Sequence, residues 1–148
     1  MKEVSYLGDI KTNLLFVKTG SETVRAYSGH LDVGEILKIW RSFPVEGLGL
    51  YFGKHFVDKH GKKEARLSLD GLHFVRKQVN KNIIELNDEQ VVKWFKGDNL
   101  ELTKEQKETY QYIGFVAVKY KEDLVGTGKN TPQGILLNFL PKERRIRN

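Results

Sequence analysis

The side chains with chemical reach in this sequence are cations set among aromatic rings. Tyr51, Phe52, Lys54, His55 and Phe56 stand together, and Tyr110, Tyr112, Phe115, Lys119 and Tyr120 form a second group. Lysine and arginine neutralise phosphates, and exposed rings stack on unpaired bases, so this interleaving suits a nucleic-acid surface. The same rings also suit a core. Alternation along residues 114–120 turns about half of that stretch inward, and Phe52, Trp94, Phe95 and Phe115 are expected inside. Tyr51 and Tyr120 stay open between the two readings.

Other chemistries find little support. The histidines are His30, His55, His60 and His73. A zinc site from His55, Asp58 and His60 has no standard helical spacing and no further ligand, so these read as loop residues on a basic surface. His73, in an apolar stretch, reads as a packed or capping residue. Ser28, Ser42 and Ser68 lack the context of a nucleophile elbow. Gly126-Thr127-Gly128-Lys129 has the wrong spacing for a phosphate-binding loop and no helix after it, and Gly47-x-Gly49 lacks the third glycine of a dinucleotide site. Asp88, Glu89 and Asp98 fall on or beside a capped helix, where solvated charge explains them. The chain has no cysteine, which removes disulfides, thiolate metal sites and cysteine nucleophiles together. No catalytic residue, cofactor or metal is expected.

With 148 residues, 39% hydrophobic and 30% charged, the sequence has the make-up of a globular domain with its own core. The net charge of +6 favours polyanionic partners. It is unevenly spread. Residues 141–148 carry four positive charges and one negative, a second basic region runs from Lys54 through Lys59, Lys62 and Lys63 to Arg66, and acids gather between Glu85 and Glu101. No apolar run approaches the roughly 20 residues of a membrane span, and the first residues lack the apolar core of a secretion signal. A cytoplasmic location is expected.

The elements that must position these residues can be read from periodicity and punctuation. Strands are expected at 14–18 and 23–27 around Thr19-Gly20-Ser21. Asp32 opens a helix with Glu35 at the capping-box position, and Val33, Ile36, Leu37 and Trp40 form its apolar stripe. A strand over 47–54 is interleaved with glycine, as in a curved sheet. A strand follows at 65–69, with a turn at Asp70-Gly71, a short helix within 72–79 and a strand at 82–86. Asn87 caps a second helix, with Gln90 three residues on, Val91, Val92, Trp94 and Phe95 buried, and Gly97 at its end. Residues 103–109 read as a loop or a short exposed helix. Segments 114–120 and 124–128 pair around Lys121-Glu122-Asp123, and 134–140 supplies the last strand. The sum is an α+β chain built as a small, mainly β barrel with flanking helices.

The C-terminal part resembles the PUA-like RNA-binding domain that ends Sun-family 5-methylcytosine RNA methyltransferases, archaeal members in particular. The residues that carry this are Leu124-Val125-Gly126-Thr127-Gly128-Lys129 and Leu136-Leu137-Asn138-Phe139-Leu140-Pro141-Lys142-Glu143-Arg144-Arg145. Gly49 to Lys54, Arg66 to Gly71 and the helix from Asn87 to Gly97 resemble the preceding elements. Leu137 stands where the family often has lysine, and Glu143 where a small residue is common. The resemblance implies a PUA-like pseudo-barrel over 45–148, with residues 1–44 as a strand and helix segment packed against it. It implies RNA contact by Gly128, Lys129, Asn138, Lys142, Arg144 and Arg145, to which the basic, ring-bearing group at 51–56 adds Lys54. The expected partner is tRNA or ribosomal RNA, in RNA modification, rRNA processing or ribosome biogenesis, beside a separately encoded methyltransferase. The competing expectation is a protein-interaction adaptor in ribosome assembly or for a methyltransferase.

Overall fold

The computed structural model describes residues 2–45 and 47–147. Two sheets meet face to face. The first is an antiparallel meander of β1 (Leu15–Thr19), β2 (Thr23–Tyr27), β3 (Leu50–Val57) and β4 (Lys63–Leu67), in that order. Helix α1 (Val33–Ser42) lies in the β2–β3 connection, so a boundary at residues 44 and 45 falls inside one hydrogen-bonded sheet. Helix α2 (Leu69–Phe74) follows β4 directly. The second sheet has the order β5-β7-β8-β9-β6, from β5 (Ile83–Glu85), β7 (Gly114–Tyr120), β8 (Asp123–Asn130), β9 (Ile135–Asn138) and β6 (Leu100–Glu101). Only β5 and β7 run parallel. Helices α3 (Asp88–Lys96) and α4 (Lys104–Thr109) cover this sheet.

Helices α1 and α3 start where the sequence expects them, and α4 forms in the segment 103–109 that reads as a loop or a short helix. Asp32, Asn87 and Thr103 each accept from the backbone of the residue three places on, and Glu35, Gln90 and Gln106 each bind back to the cap. Each box satisfies amides that the first helical turn leaves without partners. Gln90 and Gln106 also exchange reciprocal amide bonds of 2.8 and 2.9 Å, and Gln106 Nε2 donates to the Glu85 carbonyl. The short α4 is thereby tied to α3 and β5. The expected turn at Asp70-Gly71 is instead the first turn of α2, because Ser68 Oγ accepts from Gly71 N and caps a helix there.

Strand β7 departs from the expected alternation, since Gly114 to Val118 are all buried. Val116 and Val118 join one core with Trp94, Leu100 and Leu136, while Ala117 joins a second core with Leu7, Phe52, Leu67 and Leu72. The strand is the wall between two cores, so both its faces are apolar. Helix α1 departs in the other direction. Of its stripe only Ile36 is buried, whereas Val33 and Leu37 are 55% and 46% exposed. Val92, placed inside from the sequence, also faces outward.

Tyr6, in a 3-10 turn over Lys2–Leu7, fastens the N-terminus to the first sheet by donating its hydroxyl to the Ala65 carbonyl at 2.9 Å. Burial pushes its phenol well above the ordinary value near 10. The fold therefore favours the neutral phenol, and this contribution is complete below pH 10. It is lost as the pH rises further, because the unfolded chain ionises first. Denaturant midpoints at pH 9 and pH 11 should fall more steeply with pH for the wild type than for Tyr6→Phe.

Candidate nucleic-acid interface

Side-chain alternation sorts the expected RNA-contacting residues onto two faces of the second sheet. Phe115 pairs with Lys129, Ala117 with Thr127 and Lys129 with Leu137, and these residues face the first sheet. Gly128 and Asn138 pair with each other on the opposite face, toward α3. The run Gly126 to Lys129 is continuous strand within β8, and each residue makes a different joint. Gly126 has φ +152° and lies under the Trp94 ring, so an added Cβ would meet the indole at 3.1 Å. Thr127 Oγ1 donates to the Leu67 carbonyl, linking the two sheets at 3.1 Å. A Cβ on Gly128 would strike Leu136 at 2.6 Å. Lys129 Nζ lies 2.9 Å from Glu64, over the Phe115 ring.

Asn138 is equally committed. Its Nδ2 donates to the carbonyls of Trp94 at 2.8 Å and Asp98 at 3.0 Å, and its Oδ1 accepts from Leu140 N at 2.7 Å. An amide offers two donor hydrogens and one acceptor oxygen, so these bonds engage both ends. Its position at the end of β9, where the sequence suggests either a turn residue or an RNA contact, serves the closure of α3. Arg145 joins that closure. It donates Nε to the Leu140 carbonyl at 3.0 Å and packs over Gly97, the left-handed end of α3. Ile146 N binds the Phe95 carbonyl beside it.

What remains free for an anion forms a strip along the join between the sheets. Phe56, Phe115 and Phe139 are in series with centroids 5.7 Å apart at each step. Arg66 lies over Phe139 at 4.4 Å and has no ion pair among the described residues. Lys54 is its cross-strand partner and holds Glu22 at 3.2 Å in an exposed pair, the kind worth little in water. Beyond Phe139 the chain turns through Pro141 to exposed Lys142, which also has no ion pair among the described residues, and to Arg144, 3.5 Å from Asp70. Lys54 and Lys129 thus border one seam, Lys142 and Arg144 follow Phe139 by three and five residues in the chain, and Gly128, Asn138 and Arg145 lie in the packing behind it. Arg66 was missed as a site residue. Its place at the end of the basic region 54–66 was visible, but its ring partner comes from the far end of the chain.

Nearby, Asp58 Oδ1 accepts from His60 N and Lys62 N, and these backbone bonds hold its carboxyl below the usual range. The carboxylate closes a loop. Among the described residues no three histidine, cysteine or acidic side chains gather as a metal site, and no helix is long and apolar enough to cross a membrane.

A mixed sheet curled into a half-barrel, sealed by capped helices and faced by a second sheet, is a PUA-like β-barrel with flanking helices. Residues 81–146 match the family model described as the methyltransferase RsmF PUA domain. That span begins just before β5 and ends at the docked C-terminal residues, so it takes in the second sheet with α3 and α4. The family resemblance read from the sequence is shown for this segment, and the first sheet, whose strands also carried part of it, lies outside the match. No curated protein matches the chain.

Proposed function

We propose that this chain binds structured RNA, tRNA or ribosomal RNA, along the seam between its sheets and carries out no chemistry on it. The PUA match supports RNA as the ligand. The observation that carries the choice of surface is Arg66, without an ion pair among the described residues, lying over Phe139 with Lys54 as its cross-strand neighbour and Lys142 three residues beyond Phe139 in the chain. A guanidinium stacked on a ring keeps its in-plane N–H edge free to donate to a phosphate, and half-buried rings beside it offer stacking surface. Lys129 and Arg144 stand at the same seam and are part of the proposed face. The role that follows is cytoplasmic support of RNA modification or ribosome biogenesis beside a separately encoded methyltransferase. This chain, without cysteine, has no thiol for the cysteine chemistry of that family.

The test is filter binding to total tRNA and ribosomal RNA across a range of salt. A triple alanine variant of Lys54, Arg66 and Lys142 spares the residues that hold the fold. Each phosphate contact adds roughly 0.9 to the slope of log affinity against log salt, so the variant's slope should be shallower by about 2 to 3. Its affinity at low salt should drop tenfold or more. Absence of wild-type binding at low salt would sink the reading. A second reading, the protein adaptor, is favoured by the exposed Leu31, Val33, Leu37, Ile39 and Phe43 on and around α1. It predicts a partner held by apolar contact, with little response to salt.

A further inference from the structure

The first sheet holds a pocket of about 300 Å³ that lies outside the matched PUA segment. Phe16, Val24, Phe52 and Leu67 give it an apolar lining, and Phe16 meets Phe52 edge-on at 5.0 Å between centroids. Lys18, Lys54 and Arg66 line it as well, and no carboxylate among the described residues does. Glu22 stands just outside, paired with Lys54. The volume is at the lower end of the roughly 300–1,000 Å³ seen in small-molecule sites. An apolar lining with convergent cations fits a flat ring that carries an anion.

We infer that this pocket receives one unpaired nucleotide, its base against Phe16 and Val24 and its phosphate toward Lys18, Lys54 and Arg66. The inference rests on the RNA-binding reading, because Lys54 and Arg66 belong both to the pocket and to the strip along the seam. A strand that runs along the strip can turn one residue into the pocket without leaving the cations. Taking a base out of a stack costs more in a duplex than in a single strand. The pocket therefore selects RNA with an unpaired nucleotide. A ring enclosed on several sides gains stacking and burial that a phosphate contact alone lacks.

Two experiments test this. In the first, AMP, CMP, GMP and UMP are titrated into the full chain while the methyl resonances of Val24 are followed. Saturable shifts at millimolar concentration are expected. Binding of UMP should be at least fivefold tighter than that of uridine, and Lys18→Ala should narrow that gap. In the second, filter binding compares a single-stranded RNA oligonucleotide on wild type and on Val24→Trp, which fills the pocket. Affinity should fall about tenfold with the salt slope unchanged. Salt-sensitive RNA binding without nucleotide shifts, and indifferent to Val24→Trp, overturns the pocket and leaves the seam intact. Nucleotide shifts at Val24 without RNA binding keep the pocket and overturn the seam. Shifts produced by decanoate and not by any nucleotide identify an acyl-chain site and overturn the inference. The titration uses the wild type, so a Val24→Trp chain that fails to fold does not remove the test.

Discussion

Trp94→Ala is expected to lower the stability of the fold by about 4–6 kcal/mol. The indole is fully buried in the core between α3 and the second sheet. Truncating a buried tryptophan costs about 3–5 kcal/mol through lost contacts and the cavity left behind. Here Nε1 also donates to the Val125 carbonyl at 3.0 Å, inside the protein. Losing that bond adds about 1 kcal/mol, the net worth of a typical hydrogen bond. Domains of this kind are stable by only about 5–15 kcal/mol, so the variant keeps a small margin. Thermal unfolding followed by circular dichroism should show a midpoint lower by roughly 10–20 °C. Trp94→Phe separates the parts, because it keeps most of the ring and gives up the N–H. A loss near 1–3 kcal/mol is expected for it.

Asn138→Ala is expected to cost about 2–3 kcal/mol of stability and to leave the RNA affinity of the folded protein unchanged. Its amide bonds join the carbonyls of Trp94 and Asp98 to the amide of Leu140, which fastens the end of α3 to the end of β9. Each is worth about 1 kcal/mol net. Asn138→Asp should be at least as damaging, because a carboxylate facing the same carbonyls can no longer donate. Urea unfolding gives the stability, and filter binding at a temperature where the variant is folded gives the affinity. An unchanged urea midpoint with a tenfold loss of RNA affinity would return Asn138 to the RNA surface.

The sequence carried the local elements well. Both clear helices open at the expected residues, Asp32 and Asn87, since a capping box is a short-range device spelled out within four positions. The hairpins at 15–27 and 114–130 were also legible, because alternation and a turn lie side by side. Strand β6, two residues long, was not, as Leu100 gains strand character only by pairing with Leu136. The candidate site was legible as composition and less so as geometry. Lysines and aromatics pointed to a basic, ring-bearing surface. Which of them face it depends on which side of β8 and β9 meets the first sheet, and that is set by the register of pairing. Hence Lys129 and its neighbour Gly128, both expected at the RNA, belong to opposite faces of the sheet.

The wiring of the two sheets also sets the order in which the chain can assemble. Four hairpins among the described residues, β1–β2, β3–β4, β7–β8 and β8–β9, close short loops between neighbours in sequence. The second sheet further requires Ile83 to find Ala117 and Leu100 to find Leu136. Such distant pairings meet the entropy of loop closure before their contacts repay it. Synthesis proceeds from the N-terminus, so the first sheet has all its strands outside the ribosome while β9 is still within it. Until β9 emerges, β6 lacks its partner and Trp94 lacks Leu136 and Asn138 over its core. The nascent chain therefore presents a finished first sheet beside an open barrel, and β9 with Leu140 completes the barrel's core.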